Sequence, residues 1–175
     1  MGKIVKCRVW LTLLAAVVIV VSAGAAGPKT KTFVFEKRQG IAASPARIFS
    51  IVSDFQAYPR LFTESHNQVT IVSDSTRGAG VVFDNVAVLK SITLRNRWNV
   101  TEFVRDRLLR MDNDTAGTII IILHQVDYDT TEETLIASVN VPPKFKNEVF
   151  AAYDREMKAL KAACEQHPPA DSAKR

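Results

Sequence analysis

Ile41–Phe62 reads IAASPARIFSIVSDFQAYPRLF. Ser44 followed by Pro45 is a helix start: the serine hydroxyl can accept from a free backbone N–H, and proline fits the first helical position. Ile48, Phe49, Ile51 and Val52 then supply an apolar side. A second short helix is predicted over Phe55–Phe62, with Pro59 either near its start or breaking it. Asp54 stands at the junction, where it is expected to cap the second helix. The second half carries Phe55, Tyr58 and Phe62 with no glycine and no run of charge. Such a stretch covers either an ordinary core or a cavity.

Outward from this stretch the chain is mostly strand. Lys31–Gln39 alternates and precedes the helices. Gln68–Ser73, Gly80–Leu89, Ser91–Val104, Arg107–Met111, Gly117–Asp127 and Glu133–Val141 are rich in β-branched and aromatic residues, with turn residues between them. Over Ser91–Thr101, Ile92, Leu94, Trp98 and Val100 share one face, with Asn96 as a polar exception; Arg95 and Arg97 lie on the other, which is read as wet. Ile119–Leu123 is a continuous apolar run, predicting cover on both faces. After Asn140-Val-Pro-Pro143 comes one long helix. Phe145, Val149, Tyr153, Met157, Leu160 and Cys164 recur at helical spacing and form its apolar stripe. Short turns between successive strands imply an antiparallel sheet, on which that stripe must be buried. The fold class is therefore α+β: one sheet, two short helices after its first strand, and one long C-terminal helix.

Composition narrows the function classes. Of 23 basic residues, Lys3, Lys6 and Arg8 belong to an N-terminal leader; without them 20 basic residues face 18 acidic ones. A domain so near neutrality lacks the electrostatic footprint of a nucleic-acid binder. Residues 1–27 carry three basic residues, then an uncharged apolar run, then Ala23-Gly24-Ala25, the form of a secretory signal. Val9–Pro28 is also long enough to span a membrane once. Both readings, cleaved signal and uncleaved anchor, put the domain outside the cytoplasm: secreted or periplasmic in the first case, tethered to the membrane in the second. The folded domain is expected over 32–165, with a polar tail over 166–175. Two cysteines, Cys7 in the leader and Cys164 near the end, exclude a disulfide framework.

Three places together resemble the START-like, or SRPBCC, superfamily. They are Ile41–Phe62, the strand Trp98-Asn-Val-Thr-Glu-Phe103, and Val141-Pro-Pro143 leading into the helix with Leu160-Lys161 and Glu165. That superfamily includes the Bet v 1-like plant proteins, polyketide cyclase/dehydrase domains and coenzyme Q-binding START-like proteins. The resemblance implies the helix-grip fold, a curved antiparallel sheet wrapped on the long helix. It also implies that Phe55, Tyr58 and Phe62 face inward, at the rim of a cavity or in plain core. These motifs mark a fold and leave function open.

No catalytic or metal signature accompanies them. The histidines, His66, His124 and His167, have no metal-ligand spacing. His124 points away from Asp127 and Asp129 on an alternating strand. No nucleophile elbow is present, and Gly78-Ala-Gly80 leads into a strand and holds no phosphate. No cofactor is expected. Three functions remain. The first is binding of a hydrophobic small molecule, a lipid or isoprenoid quinone, in a cavity between sheet and helix. If the helix stripe and one sheet face border that cavity, Phe83, Trp98, Ile120, Ile136, Val149, Tyr153 and Met157 line it. The second is a cyclase/dehydrase-like enzyme, which needs sheltered polar groups; Asn96, Asn140 and Tyr153 are the candidates. The third is a filled domain that serves as a protein-interaction module.

Overall fold

The computed structural model describes residues 29–63 and 65–166. The leader, His167 and most of the polar tail lie outside the described residues. β1 (Lys31–Ile41) is followed by α1 (Pro45–Val52), a 3-10 turn (Phe55–Ala57) and α2 (Tyr58–Leu61). Six strands follow: β2 (Gln68–Ile71), β3 (Val82–Val88), β4 (Thr93–Val104), β5 (Leu108–Asn113), β6 (Gly117–Asp127) and β7 (Thr130–Val141). A 3-10 turn (Pro143–Phe145) then leads into α3 (Lys146–Glu165). The seven strands form one antiparallel sheet in the order β1-β7-β6-β5-β4-β3-β2. The curved sheet packs its inner face on α3, which is the helix-grip architecture that the sequence implies.

Local chemistry explains the elements. The Ser44 hydroxyl accepts from Arg47 N at 3.4 Å, and Pro45 occupies the first turn of α1. Pro59 likewise sits in the first turn of α2 and starts that helix without breaking it. Asp54 departs from expectation. It precedes the 3-10 turn, but its side chain makes no capping bond, and the turn closes through the backbone, Ala57 N to Asp54 O at 3.0 Å. Val149, Met157, Leu160 and Cys164 are buried along α3, joined by Ala152. Polar ties fix the helix over β1: Lys37 Nζ meets Asp154 Oδ1 at 2.5 Å, and Glu165 Oε1 accepts from Ala42 N at 2.9 Å.

The sheet corrects one reading. Along β6, Ile119, Ile121 and Leu123 point inward, while Ile120 and Ile122 point outward. Ile120 pairs with Ile136 across the β6–β7 ladder, so both lie on the outer face and neither borders the interior. A strand's side chains alternate strictly, and taking the wrong parity moves every residue to the other side. The outer face is not fully covered either. Ile122 is 36% exposed and Val34, on β1, 61%. Among the described residues no helix is long and apolar enough to cross a membrane.

Candidate functional site

The interior between α2, α3 and the inner sheet face is not completely filled. A cavity of about 50 Å3 remains. Its apolar walls include Val52, Phe62, Phe83, Trp98, Met111, Ile119, Ile121, Leu135, Met157 and Leu160. Tyr58, His66, Glu133 and Glu156 also line it, and among the described residues no lysine or arginine takes part. The volume holds a few water molecules, well short of the several hundred cubic ångströms of a pocket for a drug-sized ligand.

Five of the ten residues expected at the ligand are brought together here: Tyr58, Phe62, Phe83, Trp98 and Met157. Phe55 lies just behind them, stacked on Phe83 with ring centres 4.6 Å apart, and serves as packing. Val149 is buried along α3 outside the cavity lining. Tyr153 is half-buried, its ring 5.6 Å from that of Phe35. Ile120 and Ile136 are on the outer face, as described above. Asn140 does not enter the interior either: it accepts from Thr32 Oγ1 at 2.7 Å and donates to Thr115 O at 3.1 Å.

The polar part of the site was not expected. Glu133 is only 2% exposed, on the inward side of β7 between Thr131 and Leu135. It stands opposite Gln39 in the β1–β7 register. Gln39 Nε2 donates to Glu133 Oε2 at 2.6 Å and to the Met157 carbonyl at 2.8 Å, joining strand pair and helix. Burial among apolar walls pushes the Glu133 carboxyl up to about 7, against the Gln39 hydrogen bond and with help from the nearby Glu156 charge.

His66 follows α2, and its backbone N–H donates to Phe62 O at 2.9 Å. Its ring packs edge-on to Tyr58 at 5.0 Å. Nδ1 lies 2.9 Å from Asn85 Oδ1 and Nε2 lies 3.4 Å from Glu156 Oε1. Both oxygens are acceptors, so both ring nitrogens serve as donors when the ring is charged. Burial works to lower the His66 pKa; the Glu156 charge and the hydrogen bonds to Glu156 and Asn85 outweigh it and hold the pKa above its ordinary value. Tyr58 donates its hydroxyl to Val52 O at 2.6 Å, and burial, then the Glu156 charge, keep that phenol protonated.

The constellation is thus a charge-capable histidine–glutamate pair and a second, neutral-prone carboxyl inside an apolar space. Such groups can take up, release or orient a proton near neutrality. His124 is exposed on β6 and plays no part. Among the described residues no group of acidic, histidine or cysteine side chains is arranged to hold a metal. A second, more open cleft of about 440 Å3 is bordered by Phe49, Ser53, Arg77, Phe103, Arg105 and Asp106. The Arg105 side chain is 86% exposed there, so water screens its charge.

No family model and no curated protein matches this sequence. Solved structures do match. Truncated norcoclaurine synthase from Thalictrum flavum superposes with a TM-score of 0.62 at 16% identity, over 80% of this chain and 98% of that one. A START superfamily protein from Mycobacterium smegmatis gives 0.62 at 21% identity, over 76% and 97%. The Aha1 dimer from Colwellia psychrerythraea gives 0.59 at 16%, over 76% and 96%. At these identities the likeness is one of fold.

Proposed function

The chain has the Bet v 1-like/SRPBCC helix-grip fold, and from that fold and its cavity we propose that the domain binds a hydrophobic small molecule between sheet and α3. The observation that carries the reading is the apolar space with His66, Glu133 and Glu156 on its wall. An apolar body is held there by burial, worth about 25 cal/mol per Å2 of surface removed from water. The polar groups fix its orientation. Lipids and isoprenoid quinones are the classes that partition where an exported or tethered protein would meet them. They exceed the present volume of about 50 Å3, so admitting them requires the walls, which include Tyr58 of α2 and the adjoining Phe62, to part further. A complex of Thalictrum flavum norcoclaurine synthase with dopamine and hydroxybenzaldehyde is an instance of this fold holding small aromatic molecules.

Trp98 offers a direct test. The sequence has two tryptophans, Trp10 in the leader and Trp98 at the cavity. In a Trp10→Phe chain, emission comes from Trp98 alone. Saturable quenching or shifting of that emission by an apolar ligand, abolished when the cavity is filled by Ile121→Phe, supports the proposal. Unchanged emission across lipids, quinones and small aromatics, with no apolar molecule retained in native mass spectra, counts against it.

A second reading, a cyclase/dehydrase-like enzyme, is favoured by the same acid–base groups. His66 with Glu156 can exchange a proton that Glu133, near neutrality, returns elsewhere on the substrate. It predicts that the protein accelerates deuterium exchange at the acidic carbon of a 1,3-dicarbonyl compound, and that His66→Gln removes the acceleration. As to place, we propose export through residues 1–27. The mass of the mature N-terminus distinguishes a cleaved signal from an anchor.

A further inference from the structure

The hydrogen-bond ledger of the cavity points to one kind of head group. Gln39 Nε2 takes Oε2 of Glu133, and among the described residues no donor reaches Oε1. His66 directs Nδ1 to Asn85 Oδ1, and its Nε2 lies 3.4 Å from Oε1 of Glu156. Tyr58 gives its hydroxyl proton to Val52 O. Two carboxyl groups therefore line the space, Glu133 with an oxygen to spare, against one imidazolium and, among the described residues, no lysine or arginine. When Glu133 is ionised the lining carries a net negative charge in apolar surroundings, which is costly unless a cation arrives. Aromatic rings share the lining, those of Tyr58, Phe83 and Trp98, and a ring face turned to a cation attracts it.

We propose that the cavity selects the ammonium head of a small amine, held between Glu133 and Glu156, with its apolar body against Phe83, Trp98 and Met157. This rests on the binding reading above and narrows it: a quinone only accepts hydrogen bonds, so it can pair with Glu133 only while that carboxyl is protonated and offers the ionised carboxylates nothing. A compact ammonium group and the first few carbons match the present volume, while a longer body needs the α2 side to open.

Calorimetric titration of the full 175-residue chain at neutral pH decides the matter. The probes are short n-alkylammonium ions and the alcohols and carboxylates of equal length. The expected result is that each ammonium ion binds about tenfold or more tighter than its alcohol, about 1.4 kcal/mol, and that the carboxylates do not bind. In Glu133→Gln, which keeps volume and a hydrogen-bonding carbonyl, the preference over the alcohol is expected to vanish. Circular dichroism confirms that this variant folds; Glu156→Gln replaces it if it does not. Equal binding of alcohols and ammonium ions, or an undiminished preference in the folded variants, overturns the amine assignment while leaving hydrophobic binding intact. Absence of binding in all three classes overturns both.

Discussion

Glu133 is held where a carboxyl group is least comfortable, and its titration reports on that. In the unfolded chain it releases its proton near 4.5, while in the fold it keeps it to about 7. Between those values the folded state binds more protons, so stability falls as pH rises through the window, by about 3 kcal/mol in all. His66 adds a slope of the same sign: its raised pKa gives stability that is present below 6.5 and lost as pH climbs through the folded value. Glu133→Gln removes the first contribution and leaves the second. Denaturant titrations between about pH 5 and about pH 8 should show the variant gaining roughly 2–3 kcal/mol on the wild type across that range. A constant difference between the two would show that Glu133 is ionised throughout.

The same residue marks how far the sequence could be read. On β7, Thr131, Glu133, Leu135, Ala137, Val139 and Val141 all point inward, and Thr134, Ile136, Ser138 and Asn140 outward. The Leu-Ala-Val-Val side is plainly the drier of the two, so parity alone places Glu133 inside and Ile136 outside. Placing Ile136 on the sheet face that borders the cavity takes the opposite parity. Glu156 was also visible in principle, since it follows Val149 and Tyr153 and precedes Leu160 at helical spacing, on the stripe itself. His66 was not. It sits in a polar run with no periodicity, and only the meeting of the α2 exit with β3 and α3 brings it to Asn85 and Glu156.

At the scale of elements, the helices and strands were legible because each rests on local chemistry. The Ser44-Pro45 start, the stripe of α3 and the turn residues between strands do not depend on distant partners. What could not be read locally is facing, as the Ile119–Leu123 run shows: five apolar residues carry no alternation, and the ladder to β5 and β7 decides which of them are inside. One turn residue is equally dependent on its partner strand. Gly117 opens β6 at φ +116°, and a Cβ there would stand 1.9 Å from the Ser138 carbonyl oxygen of β7. Neither backbone can yield without breaking the ladder. Gly117→Ala is expected to cost about 3 kcal/mol or more and to lower the thermal midpoint by several degrees. A midpoint within a degree of wild type would mean that the β6–β7 ladder is free to shift at this end.

The whole molecule balances a filled core against an open one. Sheet and helix leave about 50 Å3 between them, so the domain has little room to lose. Leu135→Ala is informative because stability and binding should move in opposite directions. Deleting a buried leucine costs about 2–5 kcal/mol, and the enlarged apolar cavity then accepts a probe such as benzene. Thermal melts with and without benzene read both effects. If the melt drops and benzene restores nothing, the core has collapsed into the gap and the space is not maintained by the surrounding frame.

The pairing of β1 with β7 has a consequence in time. Lys31 meets Val141 and Ile41 meets Thr131, so the first strand finds its partner only near the end of the chain. A ribosome must deliver the chain as far as β7 before β1 has anything to join, and α3, which packs on the inner face, arrives later still. Contacts so distant along the chain make for folding in milliseconds to seconds, slow beside helical bundles. Until that closure the nascent chain is an extended, threadable polymer with an unpaired leading strand, exposed to chaperones and to whatever machinery handles unfolded chains. Maturation of the domain therefore waits on β7 and α3.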